Sequence, residues 1–276
     1  MADARAAITV TMADCKTWLH DWIAHHMHVA DHLFIWLDDP GEMAFAEKTT
    51  SDRVSILPGQ QIDRDSRLTQ TLARQDANTN SAIQMAAMAG FDWLLHVDAD
   101  ELFVPLSNDL WDSSAEQLIF PNHEAAPVWY ADEPFVDVTR FRVNGRHRFL
   151  LYDNGKAALR LGAPPVTARA HGPHRFAGAE GVPSDKAVIL HYAAPGFEHW
   201  WRKYERLGAF SDLWDERADA PIPTSFHTRS RDAVLKAIRT DDRSVAEEFY
   251  RKHMGSEGRE DLLEVRRNAD GRVILI

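Results

Sequence analysis

Three acidic side chains interrupt an apolar segment of the sequence. The largely apolar stretch 91–97 leads into Asp98, Asp100 and Glu101, after which apolar residues resume. Because strand side chains alternate, a strand that continues through these residues places Asp98 and Asp100 on one face, about 7 Å apart. Two buried carboxylates repel each other, whereas a hard cation such as Mn²⁺ or Mg²⁺ turns them into ligands. The spacing therefore predicts a divalent-cation site, with a solvent-facing turn as the alternative.

Strand and helix patterns alternate ahead of these acids. Short apolar runs predict strands, and amphipathic stretches predict the helices between them. The predicted strands cover 6–10, 32–37, 54–57 and 91–105, and the predicted helices cover about 15–30 and 66–89. This alternation predicts an α/β fold with a mostly parallel central sheet flanked by helices. In such folds ligands gather at the carboxyl ends of the strands, where Asp14, Asp38 and Asp39 also fall.

The regular pattern ends after residue 105. Many Pro, Gly and His residues predict an irregular lobe over 106–217, with one buried strand at 187–192 and a helix at 197–210. A Pro-rich linker at 218–223 precedes a predicted helical C-terminal extension. We predict one domain over 1–217, with halves 6–105 and 106–217, and an extension over 218–276 with helices at 231–239, 245–254 and 260–266.

Composition narrows the classes of partner and compartment. The chain of 276 residues has a net charge of −11, which repels a phosphate backbone and argues against nonspecific nucleic-acid binding. Cys15 is the single cysteine, so an internal disulfide is excluded and a reducing compartment is indicated. Neither a leader pattern at 1–11 nor a stretch of about 20 apolar residues occurs. These features predict a cytoplasmic protein and leave peripheral membrane contact and oligomeric state open.

Four short segments resemble, in the right order, the family-2-like and family-92-like glycosyltransferases. They are Trp22–His26, Phe34–Asp39, Asp92–Phe103, and His191–Tyr192 followed by Lys203. The resemblance runs from about Ile8 to about Leu207, and it implies a GT-A fold and a nucleotide-sugar donor, with a UDP-sugar favoured. It further implies transfer, with inversion, to a hydroxyl of a carbohydrate or glycoconjugate.

The same resemblance assigns roles to several residues. It implies that Asp98 and Asp100 hold Mn²⁺ or Mg²⁺ against the donor diphosphate, and that Lys203 reaches this diphosphate. His191 takes the position of a third metal ligand, with a core histidine as the alternative. Arg202 and Arg206 are interpreted as a solvated helix face.

The start of the chain departs from the family pattern. An Asn-Glu or Asp-Glu pair is usual after the first strand, whereas Asp14 and Cys15 stand here. Asp14 is predicted to contact the nucleotide or to cap the helix that follows. Asp38 and Asp39 are predicted to meet the nucleoside, with a simple turn as the alternative.

The catalytic base is not identified by the sequence. Glu101 and His171 are the chosen candidates, although an ideal strand turns Glu101 away from Asp100 and makes it an anchor of the site. Further candidates are Asp132, Glu133 and His174. Lys156, with Arg160, is predicted to form a basic spot for the acceptor or a phosphate. A plain surface role is the alternative for each.

Three rival functions remain open. Asp21, His25, His28 and His32 could line a helix face and hold a transition metal of a hydrolase, although His25 and His28 are predicted to lie on its polar side and His26 in the core. A nucleotidyltransferase acting on sugar phosphates needs a Gly-rich loop after the first strand, and Thr11–Thr17 lacks glycine. A non-catalytic carbohydrate-binding protein would use exposed tryptophans for stacking on sugar rings.

Overall fold

The apolar runs early in the chain form parallel strands. The computed structural model describes residues 4–212, 226–254 and 261–276. Four strands lie side by side in the order β3-β2-β1-β4, all parallel: β1 (Ala6–Met12), β2 (His32–Leu37), β3 (Val54–Pro58) and β4 (Trp93–His96). The predicted α/β character and the predicted parallel strands are confirmed.

Two long helices cover the opposite faces of these strands. They are α1 (Cys15–His26) and α3 (Arg67–Met88), and between β2 and β3 lie α2 (Met43–Ala46) and the 3-10 turns Pro40–Glu42 and Glu47–Thr49. Helix α3 begins at Ser66, whose hydroxyl accepts the Thr69 N–H in a capping box. Ile83 of α3 packs in one apolar cluster with Phe34 of β2, whereas Trp22 of α1 belongs to the cluster on the other face.

The second half of the chain is more regular than predicted. It contains α4 (Pro134–Asp137) and nine short strands: β5 (Glu101–Pro105), β6 (Gln117–Phe120), β7 (Asn122–Ala125), β8 (Arg140–Arg142), β9 (Lys156–Arg160), β10 (Arg169–His171), β11 (Arg175–Ala177), β12 (Gly181–Pro183) and β13 (Ala187–His191). The prediction of an irregular lobe is wrong because strands of three to five residues are too short to show a period of two.

These strands widen the first sheet and build a second one. The first sheet has the order β12-β6-β9-β4-β1-β2-β3, and β9 runs antiparallel to both of its neighbours. The predicted mostly parallel sheet is therefore mixed at this end. Strands β10 and β11 form a separate hairpin.

The end of the chain is only partly helical. After α5 (Phe197–Leu207), helices α6 (Phe226–Thr240) and α7 (Ser244–Met254) pack against it, and β14 (Leu263–Arg267) and β15 (Val273–Leu275) follow. The predicted helix at 260–266 is wrong, since β14 pairs with β8 and completes a sheet of order β15-β14-β8-β7-β13-β5. The predicted linker 218–223 lies outside the described residues, and the division at 217 stays a prediction. Among the described helices, none combines the length and apolar character needed to cross a bilayer.

The chain changes sheets at the acidic residues. Strand β4 ends at His96 in the first sheet, and β5 begins at Glu101 in the second. Between them the Glu101 N–H donates to the Asp98 carbonyl at 3.1 Å, which closes a turn. Asp98 and Asp100 therefore belong to a turn, and the strand alternation expected for them does not apply.

Two histidines of α1 fix the edge strand that follows this turn. His25 Nδ1 accepts the Val273 N–H at 3.0 Å, so its Nε2 carries the proton and donates to the Phe103 carbonyl at 2.7 Å. His26 Nε2 accepts the Phe103 N–H at 3.2 Å and its Nδ1 donates to the Trp22 carbonyl. His26 is a core residue as predicted, but placing His25 on the polar side was wrong because it is equally buried.

We expect this pair to make the protein sensitive to mild acid. Burial lowers the pKa of His25 to about 4 and lowers that of His26 well below its usual value. The folded state then binds fewer protons than the unfolded state below pH 6.5, so stability falls as the pH drops towards 4. In urea titrations between pH 7 and 5, His26→Gln should show a shallower slope, by up to about 1.4 kcal/mol per pH unit. Equal slopes in the two proteins would contradict this role.

The contribution of the C-terminal strands to the stability of the fold can be tested at β14. Val265 is buried in the main core, whereas the next residue, Arg266, is exposed on the same strand. Val265→Asp should reduce the free energy of unfolding by about 3 kcal/mol or more, because it buries an unpaired carboxylate. Arg266→Asp should change it by about 0.5 kcal/mol or less. Similar denaturation midpoints for the two variants would show that this segment is dispensable.

Candidate active site

A cleft of about 510 Å³ opens at the carboxyl ends of β1, β2 and β4. Its floor is formed by the residues that follow these strands, and its far wall by α5 and the loop before it. The polar and charged residues that line it are Thr11, Asp14, Asp38, Asp39, Glu42, Arg67, Thr71, Gln75, Asp98, Asp100, Tyr152, His174, His191, Tyr192, His199, Arg202, Lys203, Arg206 and His227. The volume suits a ligand of nucleotide-sugar size.

The acids predicted to meet a nucleoside do line this cleft. Asp14 stands at the N-cap position of α1 with a φ of 58°, but its carboxylate accepts from the Thr17 hydroxyl and does not cap the helix backbone. Asp38 is buried and forms ion pairs with Arg67 at 3.0 Å and Arg74 at 3.1 Å. Asp39 is exposed and accepts the Gly41 N–H. Asp38 is therefore anchored, and Asp14 and Asp39 are accessible to a ligand.

A carboxylate also lies beside Cys15, where the family pattern has one. Glu42 reaches across from the 3-10 turn after β2, and its Oε1 accepts the Cys15 N–H at 2.9 Å. Its Oε2 is buried, and burial and then the neighbouring Glu42 carboxylate raise the pKa of the Cys15 thiol. Sequence reasoning missed Glu42 because the residue is 27 positions away from Cys15.

Asp98 is held by a buried lysine. Lys156 of β9 has no exposed surface, and its Nζ lies 2.5 Å from Asp98 Oδ2 and 3.2 Å from Glu101 Oε2. The second oxygen of Asp98 accepts a hydrogen bond from Gln75 at 2.8 Å. Glu101 Oε2 in turn accepts the Asp98 N–H at 2.8 Å. Both oxygens of Asp98 are thus engaged by other side chains.

Burial and the neighbouring charges shift the pKa values of Asp98, Glu101 and Lys156 in opposite directions. Burial opposes ionisation of Asp98, but the Lys156 ammonium outweighs it and keeps the pKa of Asp98 below its usual value. Burial raises the pKa of Glu101 to about 8 despite the same ammonium. Burial also opposes the charge on Lys156, yet the two carboxylates hold its pKa above the usual value. Lys156 and Asp98 therefore form the charged pair.

Asp100 faces the cleft and is paired with a second lysine. Lys203 of α5 donates from Nζ to Asp100 Oδ2 at 2.9 Å and to the Ala193 carbonyl at 3.3 Å. His191 Nε2 lies 3.9 Å from the same Asp100 oxygen, and its ring stacks on Tyr152. Burial lowers the pKa of His191 to about 4, so the imidazole is neutral at neutral pH.

The predicted metal ligands do not fit a divalent cation. Each oxygen of Asp98 already accepts a hydrogen bond from a side chain, and Asp100, which with His191 would supply two donors, is already paired with the Lys203 ammonium. In the described part of the chain, no three histidine, cysteine, aspartate or glutamate side chains are arranged to hold a metal. The proposed transition-metal site of a hydrolase also lacks support. Of its predicted ligands, Asp21 pairs with Arg267, and His25 forms a hydrogen bond with the backbone.

Three other predicted site residues lie away from the cleft surface. Glu101 is fully buried behind the turn and anchors Asp98, so a catalytic contact with substrate is not supported. Lys156 is equally buried and cannot meet an acceptor, and Arg160 is exposed on the same strand and bonds to the Ser114 carbonyl. His171 is exposed in the β10–β11 hairpin outside the lining.

His174, three residues after His171, does line the cleft, together with His191, His199 and His227. Its Nδ1 donates to the Gly155 carbonyl at 2.8 Å, which leaves Nε2 as an acceptor. Burial, and then the nearby Lys156 charge, lowers the pKa of His174 to about 3. Arg202 and Arg206 are exposed as predicted but also line the cleft, a position that helix periodicity alone does not reveal.

Comparison with known proteins supports a glycosyltransferase relationship for part of the chain. Two proteins of Arabidopsis thaliana named glycosyltransferase-like are 34% and 32% identical to it over 169 residues. The alignments cover 49% of this chain and 37% and 32% of the relatives, so the chain spans about a third of their length. Half of the chain is therefore similar to glycosyltransferase-like proteins.

Other comparisons add little. No protein-family model matches the chain. The inositol-1-phosphate CTP transferase from T. maritima aligns over 70% of this chain and 90% of that chain, with a TM-score of 0.34 and 9% sequence identity. This similarity is too low to support a conclusion about fold or function.

We predict that Lys156 is essential for stability. Lys156→Met leaves Asp98 and Glu101 buried without their cation, and loss of one partner from such a buried pair reduces stability by about 3–5 kcal/mol. The matched control is Lys186→Met, which removes a solvent-exposed ion pair with Asp109. Chemical denaturation should show a large loss for the first variant and almost none for the second. Equal midpoints would show that the buried charges are paired in another way.

Proposed function

We propose that the protein is a GT-A-like glycosyltransferase that moves a sugar from a nucleotide-sugar donor, with a UDP-sugar favoured, to a hydroxyl of a carbohydrate or glycoconjugate. The observation that supports this most is the arrangement of charges in the cleft. Carboxylates follow the parallel strands at one end, and cationic side chains of α5 line the opposite wall. A nucleotide sugar needs both, since its ribose and base donate hydrogen bonds and its diphosphate is anionic.

The nucleoside end of the donor is assigned to the residues after β1 and β2. Asp14, Asp39 and Glu42 present carboxylate oxygens to the cleft, and such oxygens accept hydrogen bonds from hydroxyls and from the N–H of a base. Asp38 lies behind them, tied to two arginines. Asp39 is exposed in the cleft lining and is the strongest candidate for a specific contact.

The diphosphate is assigned to the wall formed by α5. Arg202, Lys203 and Arg206 recur at spacings of one, three and four residues, so they share one side of the helix. Bidentate arginine and point-charged lysine both stabilise phosphate oxygens and the negative charge that grows on a leaving diphosphate. The sugar would then lie over Asp100 and His191, next to the Tyr152 ring.

Transfer with inversion needs a base beside the acceptor hydroxyl. The acceptor oxygen attacks the anomeric carbon as the bond to the diphosphate breaks, and the hydroxyl proton must leave at that stage. His174 is among the lining residues, and its Nε2 is an acceptor because Nδ1 donates to the Gly155 carbonyl. Because its pKa is about 3, we assign to His174 a hydrogen bond from the acceptor hydroxyl and not removal of the proton, and Trp18 offers an aromatic face for the acceptor sugar.

We expect a nucleoside diphosphate or its sugar conjugate to raise the melting temperature, because a ligand that binds only the folded state stabilises it by about 2.7 kcal/mol at 100 times its Kd. Asp39→Asn should weaken binding about tenfold, since it removes a charge-assisted hydrogen bond. Glu47→Gln is the matched control, because Glu47 is exposed in the next 3-10 turn and does not line the cleft. Titration calorimetry with a panel of nucleotide sugars measures both effects, and release of free nucleotide reports slow donor hydrolysis.

The same panel separates the rival functions. A larger shift with nucleoside triphosphates and sugar phosphates than with nucleotide sugars would favour nucleotidyl transfer. A shift with oligosaccharides alone would favour a non-catalytic carbohydrate-binding protein. If none of the nucleotides changes the melting temperature, the transferase assignment is wrong.

A further inference from the structure

We propose that two lysines of the chain, Lys156 and Lys203, take the place of a divalent cation at the Asp98–Ala99–Asp100 turn, so that the cleft binds a nucleoside diphosphate without added metal. This rests on the donor proposed above and specifies how its charge is met.

Lys156 neutralises Asp98 from inside the protein. Its ammonium contacts Asp98 and Glu101, and the chain around it leaves no exposed surface. Removing this buried ammonium would leave the Asp98 charge unpaired in a medium of low dielectric, which is strongly unfavourable. Gln75 donates to the other oxygen, so an exchangeable ion at Asp98 would compete with two side chains of the protein.

Lys203 differs from Lys156 in being able to move. About a quarter of its side chain is exposed, and it reaches Asp100 from α5 with two hydrogen bonds. Lysine carries three donors on a flexible stem, so Nζ can keep Asp100 and still donate to a phosphate oxygen. Lys203 both contacts Asp100 and lines the cleft, so its charge is available to a diphosphate.

A diphosphate carries more negative charge than one lysine can neutralise, and the cleft contains further cations. Arg202 and Arg206 flank Lys203 on the same wall, and Arg67 lies at the start of α3 on the opposite side. A diphosphate placed there meets guanidinium groups suited to phosphate oxygens. A divalent ion bound to Asp100 would lie close to the Lys203 ammonium, which repels it.

The test uses the full chain and UDP as the probe, with titration calorimetry in EDTA and in saturating Mn²⁺. We expect the Kd to differ little between the two buffers. Lys203→Ala should weaken binding in EDTA about tenfold or more, because a hydrogen bond to a charged group is lost. In this variant Mn²⁺ should recover part of the affinity, since Asp100 and His191 are then free to hold it.

Two further variants serve as controls for Lys203→Ala. Lys203→Arg retains the charge and should bind UDP in EDTA more tightly than Lys203→Ala. Lys236→Ala removes an exposed lysine of α6 outside the cleft and should bind as the unchanged protein does. Melting curves of each variant verify that it is folded.

The outcomes separate this inference from the proposed function. If UDP binding by the unchanged protein requires Mn²⁺, the proposal that lysines replace the metal is wrong, and the assignment of the donor still stands. Metal-independent binding that Lys203→Ala does not weaken would also overturn it. If UDP and the other nucleoside diphosphates fail to bind in both buffers, the donor assignment and this inference are both wrong.

Discussion

The contact between the Lys156 ammonium and the carboxylates of Asp98 and Glu101 determines how the cleft is built. Three ionisable groups meet where the chain leaves one sheet for the other, and each is largely or fully withdrawn from water. Such groups are tolerated in a protein interior only when their charges and hydrogen bonds are satisfied. The Asp98 N–H also donates to Glu101, and in the turn that these contacts stabilise Asp100 faces the cleft.

Distant parts of the chain support this turn. Phe103 lies on the edge strand just after it, and its backbone N–H and carbonyl are both engaged by neutral histidines of α1. One of these, His25, accepts a hydrogen bond from Val273 near the end of the chain. On the other side, the carbonyl of Asp100 accepts the Tyr192 N–H from the end of β13. The acid that faces the ligand is therefore positioned by the two sheets, by α1 and by the C-terminal strands together.

The sequence predicted the parts of the fold that rest on local patterns. The strands from Ala6 to His96, the helix α3 and the cleft at the carboxyl ends of the strands follow from apolar periodicity and from the geometry of parallel sheets. The strands from β6 to β12 escaped prediction because three to five residues carry no clear period. The C-terminal strand β14 was mistaken for a helix since Leu263, Val265 and the charged residues between them fit either pattern.

The role of an Asp-x-Asp pair depends on which cations lie next to it in space. A metal and a tethered ammonium both neutralise carboxylates, but a metal must be recruited from solution, whereas an ammonium is present in every molecule. Here the partner of Asp98 is Lys156, 58 positions later, and the partner of Asp100 is Lys203, 103 positions later. The sequence around the two aspartates therefore does not reveal either lysine. For a chain of net charge −11, fixed cations also concentrate attraction for an anion within the cleft, while the acidic remainder of the surface repels phosphate groups. Affinity that arises in this way is weakened by ionic strength and not by chelators, since salt screens exposed charges such as Arg202 and Arg206 more than it screens the buried Lys156.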